Sequence, residues 1–338
     1  MAQLWEALPV LVVPFLTCLV IASLHCYMGL HVIRRGVIFV DLALAQCAAL
    51  GAAAALFLAP LIWGEAHHLS GQDVAETTPA TEARLADQLV LEDDEPPAEP
   101  AEGAGGALGE GGHEGELHEE HGRFGYGMSL FFALLGAVLL SVGRFKDERV
   151  PHEAIIGIIF VVCAALSVLI LSKAPHGHEK MEAMLIGSIL FVNWSQMTTM
   201  LLLYVVLGVL HFGIRKRLIQ ITQDVTAADR AGIRVKWWDC LFYASFALMV
   251  TQSVGVAGVL VVFSFLIIPA GCALLFVEQF ASQLVFAWVV AVVGTVAGLV
   301  LSAVGDMPTG ASLVSCFGAA LVVCVVVRAL LPKQRVRG

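Results

Sequence analysis

Stretches of about twenty apolar residues recur along this chain, and each can cross about 30 Å of hydrocarbon as a helix. They fall at roughly 8–29, 37–63, 124–142, 153–172, 196–214, 238–254, 256–277, 283–304 and 309–330. Only 14% of the residues are charged, where a soluble domain carries roughly 25%. The pattern predicts an all-α, polytopic transmembrane bundle of about nine spans. Eight would result if the long run around Gln252–Gly255 were not divided. The first run lacks a basic start and an A-x-A-like end, so it reads as a span and not as a cleaved signal. Residues Met184 to Trp194 are apolar but short. Irregular backbone is tolerated at membrane depth only when protein shields it, so this piece is expected inside the bundle.

Positive charge sets the expected orientation, because Lys and Arg gather in cytoplasmic loops. Arg34 and Arg35 follow the first span, and Arg144, Lys146 and Arg149 the third. Arg215, Lys216, Arg217, Arg230, Arg234 and Lys236 follow the fifth, and Arg328, Lys333, Arg335 and Arg337 close the chain. These alternate loops hold 15 of the 19 basic residues. The N-terminus is thus expected outside and the C-terminus in the cytoplasm. The chain divides into two spans (1–63), an outward insert (64–123), a bundle (124–332) with a cytoplasmic segment at 215–239, and a basic tail (333–338).

The insert carries 16 acidic residues against two arginines, a local charge of −14 within a net charge of −9. Its stretch from Glu92 to Gly122 is rich in Glu, Gly and Pro and has few apolar groups to bury, so it is expected to be disordered. Seven of the eleven histidines fall on the outer side: His67, His68, His113, His118, His121, His176 and His178. Imidazoles among carboxylates suit Zn²⁺ and other divalent first-row ions. A loose set of this kind would gather metal weakly near a pore mouth; a plain solvated linker is the simpler alternative. Inside the apolar runs, ionisable groups are few, and such groups usually face the bundle interior. His25 and Cys26 could face Asp41 and Gln46. Asp41 is either part of a cation path or the internal partner of Arg34 or Arg35, and His25 alone reads as a packed, hydrogen-bonded residue.

Several functions are excluded. There is no P-loop motif and no H-E-x-x-H, so neither nucleotide hydrolysis nor zinc-protease chemistry is expected of this chain. No basic patch with interleaved aromatics points to nucleic acid. The eight cysteines lie in or beside apolar runs without C-x-x-C spacing, as small packing residues. No permanently bound cofactor is implied.

The segment Arg215 to Asp239 is polar and lies between two spans. Thr226-Ala-Ala-Asp229 fits a capping box, and Gly232 offers a left-handed terminator. A short helix from Ala227 to Ala231 is expected there, either as an ordinary loop or as a docking element for a cytoplasmic partner.

Four stretches resemble the permease subunits of zinc, manganese and iron ABC importers, the ABC-3 family. They are RRGVIFVDLALAQCAALG from Arg34, LIGSILFVNW from Leu185, QDVTAADRAGIRV from Gln223, and VGVAGVLVVFSFLIIPAGCA from Val254. The third matches the family's cytoplasmic helix at Asp224, Ala228, Gly232, Ile233 and Val235. Two departures stand out. Gln46 occupies the approximate place of the family's histidine after Asp41, one residue late, and the His/Glu-rich insert is longer than the family's usual loop. The resemblance implies two copies forming a path, cytoplasmic ATPase subunits docking on Asp224 to Gly232, and an extracytoplasmic metal-binding protein delivering a divalent ion. Histidine content tilts that ion toward zinc, before manganese or iron. The resemblance also implies a bacterial inner membrane as the location, with lipid around the bundle. The rival readings are a stand-alone secondary metal transporter with a His-rich loop and a metal-buffering membrane scaffold.

Overall fold

The computed structural model describes residues 2–63, 111–142, 151–174, 185, 187 and 189–331, with side chains outside the description at 2–10, 59–63 and 111–122. Ten α-helices lie among the described residues. They are α1 (Ala2–Arg35), α2 (Val40–Trp63), α3 (Gly111–Val142), α4 (His152–Leu171) and α5 (Trp194–Gln223). There follow α6 (Val225–Arg230), α7 (Val235–Ala257), α8 (Val259–Phe276), α9 (Phe280–Gly305) and α10 (Thr309–Leu330). Nine of them, all but α6, contain segments long and apolar enough to cross a membrane. The chain forms two compact units, Met1–Ala54 with Tyr126–Gly338, and Ala55–Gly125.

Within the larger unit, α1 packs against α5, α8 and α9, and α10 covers α8 and α9. Small residues permit this closeness, as is usual where helices meet in lipid. At Gly29 of α1 an added Cβ would collide with the Leu266 carbonyl of α8, so the two backbones touch there. Apolar side chains also cover the outside. Val161, Leu202, Val209, Phe212 and Val322 are all exposed, an arrangement that water would penalise and hydrocarbon does not.

The long apolar run divides at Gly258, a few residues beyond Gln252–Gly255. Gly258 takes φ 81°, a conformation costly for any residue with a Cβ. It ends α7 and starts α8. No described part of the Met184–Trp194 piece forms a helix long enough to span. Its described part contains a 3-10 turn, Ile189–Phe191, with Ile189 buried and Phe191 82% exposed. It leads into α5 through a capping box in which Asn193 Oδ1 accepts from Gln196 N at 2.8 Å.

One expectation for the insert changes. The helix of the third span begins thirteen residues before the apolar run at 124, because α3 runs back to Gly111 and takes in 111–122, which composition assigns to disorder; the apolar span within it is Arg123–Val142. Once a span has nucleated a helix, each further turn costs little. His113, His118 and His121 therefore lie on helical backbone. His67, His68, His176 and His178 lie outside the described residues.

Candidate functional site

Two arrangements in the larger unit bear on function: a short capped helix beside the arginine-rich ends of the spans, and a set of polar side chains inside the bundle.

The chain leaves α5 extended at Asp224, with φ −152° and ψ 102°. Its Oδ1 accepts from Ala227 N at 2.9 Å. Asp224, and not Thr226, is therefore the cap of α6. Thr226 lies inside the first turn and is exposed, and the helix starts at Val225 instead of Ala227. The physical reason is the extended backbone at Asp224, which puts its short carboxylate within reach of the third helical N–H. Gly232 behaves as the sequence suggests, with φ 76°. Its N–H donates to the Asp229 carbonyl at 3.0 Å, and the Ile233 N–H donates to the Ala228 carbonyl at 3.1 Å. These two bonds form a Schellman closure. Ala228 and Ile233 then pack with Ile221 and Val235 in a small cluster against which Val225 and Trp238 also lie. A helix of six residues would be marginal alone; here both ends and one face are fixed.

The foot of the bundle is tied by buried charge. Arg35 Nη1 bonds to Asp239 Oδ1 at 2.9 Å, with both side chains essentially inaccessible. Arg35 also donates to Thr222 Oγ1 at 3.0 Å, and its guanidinium lies 4.3 Å from the Phe242 ring centroid. His31 Nδ1 lies 2.7 Å from the same Thr222 hydroxyl. This network joins α1, the end of α5 and the start of α7, so it brackets α6. Arg34 bonds to Gln283 Oε1 at 2.7 Å and to the Glu278 carbonyl at 3.2 Å. The Arg35 partner identified here is Asp239, where the sequence offered Asp41.

Deeper in the bundle, His25 is fully buried. Its Nδ1 lies 3.0 Å from the Ile21 carbonyl and 3.4 Å from the Tyr204 hydroxyl. Its Nε2 lies 3.4 Å from Ser253 Oγ. Ser253 is already within donating distance of the Met249 carbonyl at 2.9 Å. The consistent assignment has Nδ1–H donating to Ile21, which leaves the Nε2 lone pair open. A ring held in this way, one nitrogen on a carbonyl, is the usual posture of a metal-ligating histidine. Asp41, in the first turn of α2, is 1% exposed, and its Oδ1 has no hydrogen-bond partner among the described residues. A buried carboxylate oxygen without a partner is costly and marks a place where a cation would be stabilised. Gln46 is half-buried, and Ala45 occupies the buried position one helical turn after Asp41. Among the described residues no three His, Cys, Asp or Glu side chains converge, so these are two donors and not a completed metal centre.

The sequence reading missed Tyr204, Ser253, His31 and Thr222. A signal existed for part of this set. Tyr27, His31 and Arg35 recur every fourth residue, which places one polar stripe on α1. Tyr204 and Ser253 carry no such pattern; they are single polar residues in apolar runs.

Comparison with known proteins gives the arrangement a family. The manganese transport system membrane protein MntC of Listeria monocytogenes is 25% identical over 192 residues, covering 56% of this chain and 68% of that protein. The high-affinity zinc uptake system membrane protein ZnuB of Haemophilus influenzae is 26% identical over 178 residues, 51% of this chain and 66% of that protein. A probable iron transport system membrane protein of the same organism is 25% identical over 190 residues, 56% and 67% respectively. The aligned part is thus about two thirds of each relative's length. The fold is similar to that of PsaBC from Streptococcus pneumoniae in complex with Fab, with a TM-score of 0.67 at 17% identity over 99% of this chain and 98% of that one. The nine apolar helices and these relatives make the protein a multi-pass membrane protein of the bacterial inner membrane. The family model for the ABC 3 transport family matches residues 124–328, more than half of the sequence, and the chain belongs to that family.

Proposed function

We propose that this chain is the membrane subunit of an ATP-driven importer of divalent metal ions, zinc first and manganese or iron next. Two copies form the path, cytoplasmic ATPase subunits bind at α6, and an extracytoplasmic metal-binding protein delivers the ion. The N-terminus lies outside and the C-terminus inside. The observation that carries this reading is α6, fixed at both ends by Asp224 and Gly232 and held against the foot of the bundle. A membrane bundle gains little for itself from so short a projecting helix, whereas a partner that pushes on it gains a rigid lever. Its base is continuous with the Arg35–Asp239 network, so a shift of α6 would be felt by α1, and α1 carries His25. Asp41 and His25 are the residues proposed to meet the ion as it passes.

The test is a pair of substitutions on α6. Asp224→Ala removes the cap and is expected to cost about 0.5–2 kcal/mol of local helix stability. Gly232→Val forces a β-branched residue into a positive φ, a strain of about 1–3 kcal/mol. Neither touches a span. The double variant should insert normally yet lose most of the P-loop ATPase that co-purifies with the unaltered chain. Full recovery of the ATPase, with normal metal uptake, would reduce α6 to a loop.

For the insert, the proposed role is to gather metal at the outer face. The charge of −14 between Gly64 and Arg123 motivates it. Deleting 92–110 leaves α3 whole. Uptake should fall several-fold at scarce metal and hardly at all at abundant metal, measured as cell metal content. Loss of uptake at every metal concentration would make the segment part of the path instead.

A further inference from the structure

A groove of about 790 Å³ opens between α1, α5 and α9, with Arg34 of α1 and Arg215 of α5 in its lining. Its wall is largely apolar, with Leu24, Phe212, Ile219, Leu284 and Trp288 along it. Phe212 is 68% exposed and Trp288 39%, so the groove opens sideways, on an apolar surface of the chain. An ordinary solvated cleft would not be lined in this way.

Two cations enter the same groove. Among the described residues Arg34 bonds to neutral acceptors, the Glu278 carbonyl and Gln283 Oε1. Arg215 donates to the Phe212 carbonyl at 3.1 Å and stacks 3.8 Å from the Phe212 ring centroid. Neither has a carboxylate partner among the described residues; Glu278 lines the groove but offers Arg34 its carbonyl. Tyr27 and His211 also line the groove, and Tyr27 Oη and His211 Nδ1 are buried without a hydrogen-bond partner among the described residues. His211 is 2% exposed. Its Nε2 lies 2.8 Å from Ser245 Oγ, and that hydroxyl donates to the Phe242 carbonyl. Nε2 therefore carries the proton, and Nδ1 is left as an acceptor.

We propose that this groove holds an acidic phospholipid from the leaflet on the arginine side. Arg34 and Arg215 take the phosphate, a pairing that guanidinium groups favour. Tyr27 donates to a phosphate or ester oxygen, and His211 Nδ1 accepts from a headgroup hydroxyl. The acyl chain lies along Phe212, Leu284 and Trp288. Basic pockets between spans on the cytoplasmic side suit such headgroups on general grounds. A soluble anion would find the two arginines but would leave the apolar wall uncovered.

The test uses the full chain purified in mild detergent, stripped of lipid, and titrated with phosphatidylglycerol or phosphatidylcholine of matched chains, with bound lipid counted by native mass spectrometry. Phosphatidylglycerol should be retained at least tenfold in preference. Arg34→Gln and Arg215→Gln should each weaken retention about fivefold. Gly208 lines the groove and has open space where a Cβ would stand, so Gly208→Phe should block the lipid while leaving both arginines in place. It carries the test should an arginine variant fail to fold. Equal retention of the two lipids would overturn the proposal, as would a preference that survives Gly208→Phe. Displacement of the lipid by millimolar inorganic phosphate would assign the site to a soluble anion. Photo-cross-linking from position 212 to a second copy of the chain would assign the groove to an interface.

Discussion

Asp239→Ala is expected to destabilise the protein by about 3–5 kcal/mol, the cost of removing one partner from a buried ion pair. The Arg35 guanidinium would lose the Asp239 carboxylate in an inaccessible site. Its contacts with Thr222 and the Phe242 ring persist but do not neutralise it. Replacing both partners by apolar residues, Arg35→Met with Asp239→Leu, should recover most of that loss, because a buried pair is often no better than packed hydrocarbon. Thermal unfolding in detergent checks both. The double variant is the informative one for mechanism. If the network only holds the foot of the bundle together, metal uptake should return with stability. If it also transmits motion from α6 to α1, stability should return and uptake should not.

Asp41→Asn is expected to lower metal uptake at least tenfold while the ATPase still co-purifies. Asn keeps the shape and removes the charge. Asp41 is buried with an unpartnered Oδ1, so its ionised form is costly in the empty bundle. Neutralising it should leave stability unchanged or raise it. This separates the two roles open to Asp41 in the sequence. A path residue loses transport and keeps stability; a structural partner of an arginine loses stability and keeps transport. The contacts favour the first, since Arg35 bonds to Asp239 and Arg34 to Gln283.

The spans were legible because lipid imposes one rule on all of them: a long apolar run that satisfies its own backbone. The break at Gly258 was harder to place, since Gly255 and Gly258 are both candidates and only the backbone distinguishes them. The same ambiguity affected α6. Asp224 and Thr226 are both good caps, and the residue at which the chain first becomes helical decides between them. Its C-terminal end was unambiguous, because a lone glycine before Ile233 has few other uses. The bundle interior was least legible. Asp41 stands out in an apolar run, but Tyr204 and Ser253, the side chains beside His25, come from helices far away in sequence. Which arginine meets which acid depends on helix rotation, and hydropathy does not encode that.

In the proposed function ATP, and not an ion gradient, drives metal through this chain. The most direct measurement is uptake by liposomes containing the purified chain with the P-loop ATPase that co-purifies with it. Zn²⁺, Mn²⁺ and Fe²⁺ would each be presented on the metal-binding-protein side, with elemental analysis of the lumen. Accumulation of a divalent ion is expected only when ATP is present and only with α6 intact. Accumulation that follows a proton or sodium gradient without ATP, and is indifferent to Asp224→Ala/Gly232→Val, would contradict it.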